Sequence, residues 1–392
     1  MNKLPAGWEI KKLKYICTIQ DGIHKTPKYT SKGVKFVSVE NINDLYNSNK
    51  FISEEDYNKM YKIKAKKNDI FMTRIGDIGT PAILNKDEKL AYYVTLCLFT
   101  NIDEEVFNKY LYYAIQSNYF KKELYYRTLH VAFPKKINLG DIGDCKFILP
   151  PLDEQKRITS ALSKIDAYLE NTIKLIEEKE RFKRGIAKKL LTCKEGENIP
   201  EARFKGFEDE WETKTLSSIS NIKKGEQKNK LDLIADGKYP VLNGGMNFSG
   251  YCNSYNREAN TITISEGGNA GYVNFIKEKF WSSGHCYTLH DLKIDKYFLY
   301  QCLKNSEKRL MKLQLGTALK NIRQSEIVEF ELNIPKSIKE QEKIGGYLSL
   351  LDEEIDNLKK QKELIKEMKK GAMQKLLSGE VRLSKNAFNE NI

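Results

Sequence analysis

A charged, helix-forming segment of roughly 40 residues occurs twice in this chain, each time behind a block of mixed apolar and polar sequence. In 153–191 the apolar positions are Ile158, Leu162, Ile165, Leu169, Ile173, Ile176, Phe182, Ile186 and Leu190. In 338–377 they are Ile344, Leu348, Leu351, Ile355, Leu358, Ile365, Met368, Ala372 and Leu376. Steps of three and four give a narrow seam of the coiled-coil kind. At 1.5 Å per residue each helix runs roughly 60 Å, more than one small block can cover. The best-matched cover for each stripe is the other copy. With a folded block between them, the simplest closure is an antiparallel pair. Opposite charges at i,i+4, such as Glu170–Lys174, Glu177–Arg181 and Glu180–Arg184, predict a solvated outer face. Gly185 and Gly371 recur near the helix ends, 186 positions apart, and suggest a close helix approach or a shared bend.

The entrances repeat as well. Pro150-Pro151-Leu152-Asp153-Glu154-Gln155-Lys156-Arg157-Ile158 opens the first helix. Pro335-Lys336-Ser337-Ile338-Lys339-Glu340-Gln341-Glu342-Lys343-Ile344 opens the second, with Gln155 and Gln341 again 186 apart. The prolines halt a preceding strand, and Ser337 with Glu340 predicts a capping box.

The blocks echo one another too. Gly7-Trp8-Glu9-Ile10-Lys11-Lys12-Leu13 returns 203 positions later as Glu210-Trp211-Glu212-Thr213-Lys214-Thr215-Leu216. Val34–Val39 and 69–74 alternate as strands do, and 260–265 takes the place of the latter. Helices are expected over 106–126 and 296–315. Each block runs a strand into a glycine turn, Thr73-Arg74-Ile75-Gly76-Asp77-Ile78-Gly79 and Ser265-Glu266-Gly267-Gly268-Asn269-Ala270-Gly271. Such glycines serve a tight turn, or a loop that lets a phosphate approach. The expected fold is α+β: two mixed α/β domains separated by two long helices in an antiparallel coiled coil, related by a pseudo-two-fold repeat. The division is 1–150 first block, 151–192 central helix, 193–209 linker, 210–335 second block, 336–380 C-terminal helix and 381–392 tail.

A length of 392 residues allows two or three domains, and the formal charge is +13 with a pI of about 9.1. A basic chain built from two half-copies suits a two-fold polyanion, of which duplex DNA is the commonest; the plainer reading is a solvated lysine surface. No stretch suggests a signal peptide or a membrane span. Seven scattered cysteines without a CxxC pair argue against a disulfide framework or a zinc site, and for the cytoplasm. His24, His130, His285 and His290 form no metal-ligand spacing, and neither a Walker A loop nor a GxGxxG follows a strand. The only Pro-Pro lacks the Asn/Asp-Pro-Pro-aromatic setting that holds a flipped adenine. Asp77 with Asp87-Glu88-Lys89 fits the spacing of a metal-dependent nuclease, which is the rival reading, as a nuclease or a fused restriction enzyme. A scaffold with no nucleic-acid role is the third.

Combined, these motifs resemble a known family. Arg203-Phe204-Lys205-Gly206-Phe207-Glu208-Asp209-Glu210-Trp211 resembles the entry to the second half of type I restriction-modification specificity subunits, and Leu4-Pro5-Ala6-Gly7-Trp8 their opening. Leu149–Ile158 is similar to their helix entrance, and the resemblance covers nearly the whole chain in order. It implies two target recognition domains, each reading half of a split double-stranded DNA target. It also implies a coiled coil that spaces them and docks two adenine-methylating modification subunits, with restriction/translocase subunits joining. S-adenosylmethionine and ATP would belong to those partners, leaving this chain no cofactor, metal or catalytic residue of its own. Helix length would then set a fixed spacer, tunable by insertions near Thr192 or Leu377.

Departures from the pattern mark where the halves differ. Leu315-Gly316-Thr317-Ala318-Leu319-Lys320-Asn321-Ile322 is similar to the family's Gly-Thr/Ser…Ile stretch, whereas Val131-Ala132-Phe133-Pro134-Lys135-Lys136-Ile137 lacks the Gly-Thr. Asp21–Lys28 has the family's Gly…Thr-Pro look, and Lys223–Lys228 keeps only the glycine. Different half-sites are expected. Candidate DNA-binding residues are Lys25, Lys28, Arg74, Lys135 and Lys136 in the first block. In the second they are Lys228, Lys230, Asn269, Lys320, Asn321 and Arg323. Candidate partner-binding positions on the helices are Lys174, Glu178, Lys359 and Lys362.

Overall fold

The computed structural model describes residues 4–194, 196–316 and 320–383. The chain divides into two compact units, Met1–Asn171 with Lys362–Ile392, and Thr172–Gln361. In the first, a four-stranded antiparallel sheet runs in the order Thr18–Asp21, Leu96–Thr100, Ile70–Thr73, Pro81–Ile83. A three-stranded sheet orders Phe51–Ile52, Val34–Val37, Leu90–Tyr92, its last pairing parallel. Glu9–Lys12 pairs with Lys146–Leu149. The second unit repeats this plan strand for strand. Its four-stranded sheet is Asn221–Lys224, Cys286–His290, Thr261–Ser265, Val273–Ile276. Its three-stranded sheet is Gly250–Cys252, Tyr239–Leu242, Trp281–Ser282, and Glu212–Thr215 pairs with Glu331–Ile334.

The central strands Ile70–Thr73, Leu96–Thr100 and Thr261–Ser265 are buried along their whole length. Helices cover one face of each four-stranded sheet. In the first unit Ile70, Met72 and Phe99 pack under Tyr110, Leu111 and Ile115, while Phe71 and Leu98 on the opposite face join Val34, Phe36 and Tyr92. The helix expected over 106–126 is two helices, Asn108–Ile115 and Asn118–Arg127, because the Ser117 hydroxyl accepts from the Phe120 amide and starts a new N-terminus. Likewise 296–315 breaks at Ser306 into Lys296–Asn305 and Glu307–Met311.

Two long helices, Leu152–Leu191 and Ile338–Ser378, pack antiparallel. In the first unit the core holds Ile158 and Leu162 from the start of one helix with Leu376 and Leu377 from the end of the other. The second unit holds Leu190 and Leu191 with Ile344 and Leu348, the mirror arrangement. Ion pairs repeat this symmetry: Lys369 meets Asp166 at 2.6 Å in the first unit, and Lys183 meets Asp352 at 2.5 Å in the second. Both residues of one pair map onto the other pair by the same offset of 186. Each aspartate takes a second donor from its own block, Tyr113 Oη at 2.6 Å and Gln301 Nε2 at 2.7 Å. Glu180 reaches across to Lys359 at 2.6 Å rather than along its own helix to Arg184. Ile173, Phe182 and Met368, expected in the seam, are exposed, whereas Ile176, Ile355 and Ile365 are buried. Of the two readings of Gly185 and Gly371, the close helix approach fails, because a Cβ added at either would meet nothing within 4 Å.

The repeated Glu-Gln of the helix entrances is a clamp. Trp8 Nε1 donates to Glu154 at 3.0 Å, and Arg382 grips the same carboxylate with Nε and Nη2, both at 2.8 Å. In the second unit Trp211 Nε1 donates to Glu340 at 3.3 Å, and Arg203 grips it at 2.7 and 2.8 Å. Both carboxylates are nearly inaccessible, at 2% and 1%. Glu340 therefore makes no capping box with Ser337, since its oxygens are taken by Arg203 and Trp211. The neighbouring glutamines join block to helix. Gln155 donates to the Glu105 and Pro150 carbonyls and accepts from the Phe107 amide. Gln341 donates to the Pro335 carbonyl and accepts from the Asp295 amide.

Candidate nucleic-acid interface

At the end of its central sheet each unit gathers a strand end, the glycine turn and a crossing loop. The turns match closely: the Gly79 amide donates to the Thr73 carbonyl at 2.9 Å, and the Gly271 amide to that of Ser265 at 2.8 Å. φ is +97° at Gly79 and +85° at Gly271. An added Cβ would lie 2.6 Å from Leu124 Cδ1 in one and 2.9 Å from the Met311 amide nitrogen in the other. These glycines let the turn press on the helix behind it, so the tight-turn reading holds for them.

Beside the turn the two units carry opposite charges at matching positions. Arg74 in the first becomes Glu266 in the second, and Asp21 becomes Lys224. Asp21 Oδ2 lies 3.5 Å from Arg74 and 2.8 Å from His24 Nε2. Lys224 Nζ lies 2.7 Å from Glu266, which also accepts from Tyr287 Oη at 2.8 Å. Burial, with that bond, raises the Tyr287 hydroxyl above its usual pKa and keeps it a donor. Arg74 is thus an internal cross-link. Its side chain is only 7% exposed, Nε donates to the Ile137 carbonyl and Nη1 to that of Val94. Arg74, expected as a DNA-binding candidate, is placed here with Nε and Nη1 turned to partners inside the domain.

The remaining first-block candidates are exposed. Lys25 and Lys28 lie on the loop after Thr18–Asp21, and Lys135 and Lys136 on the arm that returns to the glycine turn. That arm is tied down by its backbone: the Gly76 amide donates to the Lys135 carbonyl at 2.8 Å, and Leu129 to that of Lys136 at 2.8 Å. Between arm and turn lies a cleft of about 450 Å³ bounded by Gly76, Asp77, Lys121, Tyr125, His130 and Lys135. Tyr125 and His130 pack ring to ring at 4.5 Å. Sequence reasoning passed over Lys121, Tyr125 and His130; the only signal was aromatic and basic types scattered through 121–136. Asp77 accepts from Thr80 Oγ1 at 2.5 Å, while Lys89 pairs with Glu54 at 2.8 Å, so two of the residues invoked for a nuclease have separate partners. Among the described residues no three His, Cys, Asp or Glu side chains gather as a metal site would require.

In the second block Asn269 is exposed on the glycine turn, and the Asn321 backbone pairs with Leu315 so that its side chain lies against Gly267. Lys320 and Arg323 are exposed on either side of it. Of the Gly-Thr stretch, Thr317–Leu319 lie outside the described residues. Lys228 stands apart from this group, its ammonium 3.6 Å over the Trp281 ring and bonded to Ser254 Oγ, with Lys230 exposed nearby in sequence. On the helices Glu178 is exposed and Lys362 pairs with Glu363 at 3.2 Å. Lys359 is engaged with Glu180, and Lys174 is exposed and partnered. Among the described residues no helix is long and apolar enough to cross a membrane.

The model of the type I restriction modification DNA specificity domain matches residues 5–178 and again 208–367. A Mycoplasma pneumoniae protein named as a type I specificity subunit is 40% identical over 38% of this chain and 40% of its own length. A Mycoplasma genitalium counterpart is 33% identical over 43% and 45%. The matched region thus spans less than half the length of these two relatives. The type I restriction enzyme MjaIX specificity subunit of Methanocaldococcus jannaschii is 23% identical over 98% of this chain and 95% of its own. Among solved structures, the S subunit of a type I restriction-modification system from M. genitalium shares the fold. It has a TM-score of 0.66 and 20% identity, over 96% of this chain and 97% of that one. With the family model covering both halves, and both halves built alike, the chain belongs to the type I restriction-modification DNA specificity subunits.

Proposed function

We propose that each half of this specificity subunit is a target recognition domain reading one half of an asymmetric, bipartite site in double-stranded DNA. One observation carries the reading. The two blocks share strand order, glycine turn and clamp, yet their turn regions differ in charge sign and in the arm that follows. A common frame with divergent loops is what two readers of different half-sites require. The phosphate-holding groups are Lys25, Lys28, Lys135 and Lys136 in the first domain, and Lys228, Lys230, Lys320 and Arg323 in the second. Asn269 and Asn321 supply amide groups for base edges. The subunit works in the cytoplasm as part of a type I complex. The helix pair docks two adenine methyltransferase subunits, which bring S-adenosylmethionine, and restriction/translocase subunits bring ATP.

Exchanging residues 8–149 for those of another specificity subunit tests this. Methylome sequencing of the host should show one half of the target changed and the other retained. A change in both halves, or a single uninterrupted site, refutes it. For docking, Glu178→Lys is the cleaner probe, since reversing Lys359 also removes its bond to Glu180. The same proposal holds that helix length sets the spacer. Insertions to test it belong mid-helix, because Leu190, Leu191, Leu376 and Leu377 are already committed to domain cores.

A further inference from the structure

The arm of the first domain, 129–136, carries two apolar side chains that the fold leaves uncovered. Val131 is 99% exposed and Phe133 fully so. Every other phenylalanine of this domain is at least partly covered, and Phe71, Phe99, Phe120 and Phe147 are inaccessible. The arm's backbone is closed at its base by the Leu129 and Gly76 amides on the Lys136 and Lys135 carbonyls, so the two side chains stand on a turn held at both ends. Its flanks are basic and aromatic: Lys135 and Lys136 follow, His130 packs at a tilt against Tyr125, and Lys121 borders the cleft. The acidic groups nearby are largely engaged, Glu123 with Arg127 at 3.0 Å and Asp77 with Thr80. An apolar tip between cations suits a polyanion that offers an apolar spot at its centre. In a DNA major groove that spot is the C5-methyl group of thymine, bordered on both sides by phosphates.

We propose that Phe133 and Val131 are specificity-determining residues of the first domain, reading thymine methyl groups within its half-site. The inference rests on the first domain being a DNA reader. Lys135 and Lys136 then hold the flanking phosphates, and the apolar tip selects A·T over G·C pairs at the positions it reaches.

The test uses the full chain assembled with its methyltransferase subunits and a duplex carrying the target found by methylome sequencing. Each thymine of the first half-site is replaced in turn by deoxyuridine, which removes only the methyl group. Wild-type affinity should fall about fourfold at the contacted position, the worth of one buried methylene. Phe133→Ala should bind the thymine duplex more weakly and lose the discrimination, binding thymine and uracil duplexes alike. Deoxyuridine in the second half-site should affect wild type and Phe133→Ala equally. A first half-site without an A·T pair overturns the proposal, as does a uracil effect unchanged in Phe133→Ala. So does a Phe133→Ala variant that binds target normally, or one that loses methyltransferase assembly while keeping base preference, which would make the tip a protein contact. Failure of the reading itself looks different: the assembled complex would then show no preference for any first half-site.

Discussion

Arg203→Ala isolates the clamp of the second unit. In the native chain Glu340 is 1% exposed and holds two charge-assisted bonds from Arg203 with one from Trp211. Without Arg203 the carboxylate keeps only the indole N–H at 3.3 Å. Breaking a buried pair from one side costs about 3–5 kcal/mol, because a charge is left without a partner. The Arg203 side chain is 13% exposed, so water entering the vacated space places the expected loss near the low end, about 3 kcal/mol. For a unit of this size that is a fall in Tm of about 6–12 °C. Adding Glu340→Gln removes the stranded charge and keeps an oxygen for Trp211, so the double variant should regain at least about half of the loss. Urea unfolding of wild type, both single variants and the double variant measures the cycle. A loss below about 0.5 kcal/mol for Arg203→Ala, the range of an exposed ion pair, would refute the clamp argument. So would a double variant no more stable than Arg203→Ala.

Acid should loosen the first unit through Glu154. Its pKa lies below the usual 4.5, chiefly because Arg382 donates to it and further because Trp8 does, so its stabilisation is present above pH 4.5 and lost as pH falls through the folded value. Arg382→Ala should flatten that slope in unfolding midpoints measured from pH 6 to 3. His290 is held below 6.5, first by burial and then by Arg257 and Lys223, so the neutral ring is favoured. The second unit should therefore lose stability as pH falls below 6.5, and His290→Gln should remove that component from a thermal-melt series. Gly271→Ala should destabilise by more than the about 1–2 kcal/mol of a left-handed residue, because the Cβ also meets the backbone at Leu310 and Met311. Equal melting of Gly271→Ala and wild type would contradict this.

Much of the architecture could be read from the chain. The two long helices announce themselves by apolar steps of three and four, and their antiparallel pairing follows from the block between them. The clamp was visible only as a recurrence, since Trp8 and Glu154 lie 146 positions apart and nothing local says they touch. The breaks at Ser117 and Ser306 hid because one serine inside an apolar period does not lower the helical signal enough. The burial of Arg74 was not legible, because a basic residue before a glycine turn looks exposed, and that burial depends on Asp21, Val94 and Ile137 arriving from elsewhere. Ile173 and Phe182 mislead in the opposite sense, being apolar at seam-like spacing yet turned outward.

The return of residues 362–383 to the first unit sets an order of events during synthesis. Leu376 and Leu377 belong to that unit's core, and Arg382 neutralises Glu154. About 190 residues of the second unit are made in between. At roughly 5–20 residues per second the first block waits about 10–40 s on the ribosome with its Trp8–Glu154 site open and an apolar flank uncovered. The second block, whose helix ends both lie within 172–361, has no such delay. The half of the protein that emerges first is therefore the last to be finished, and the one more exposed to chaperones and proteases while it waits.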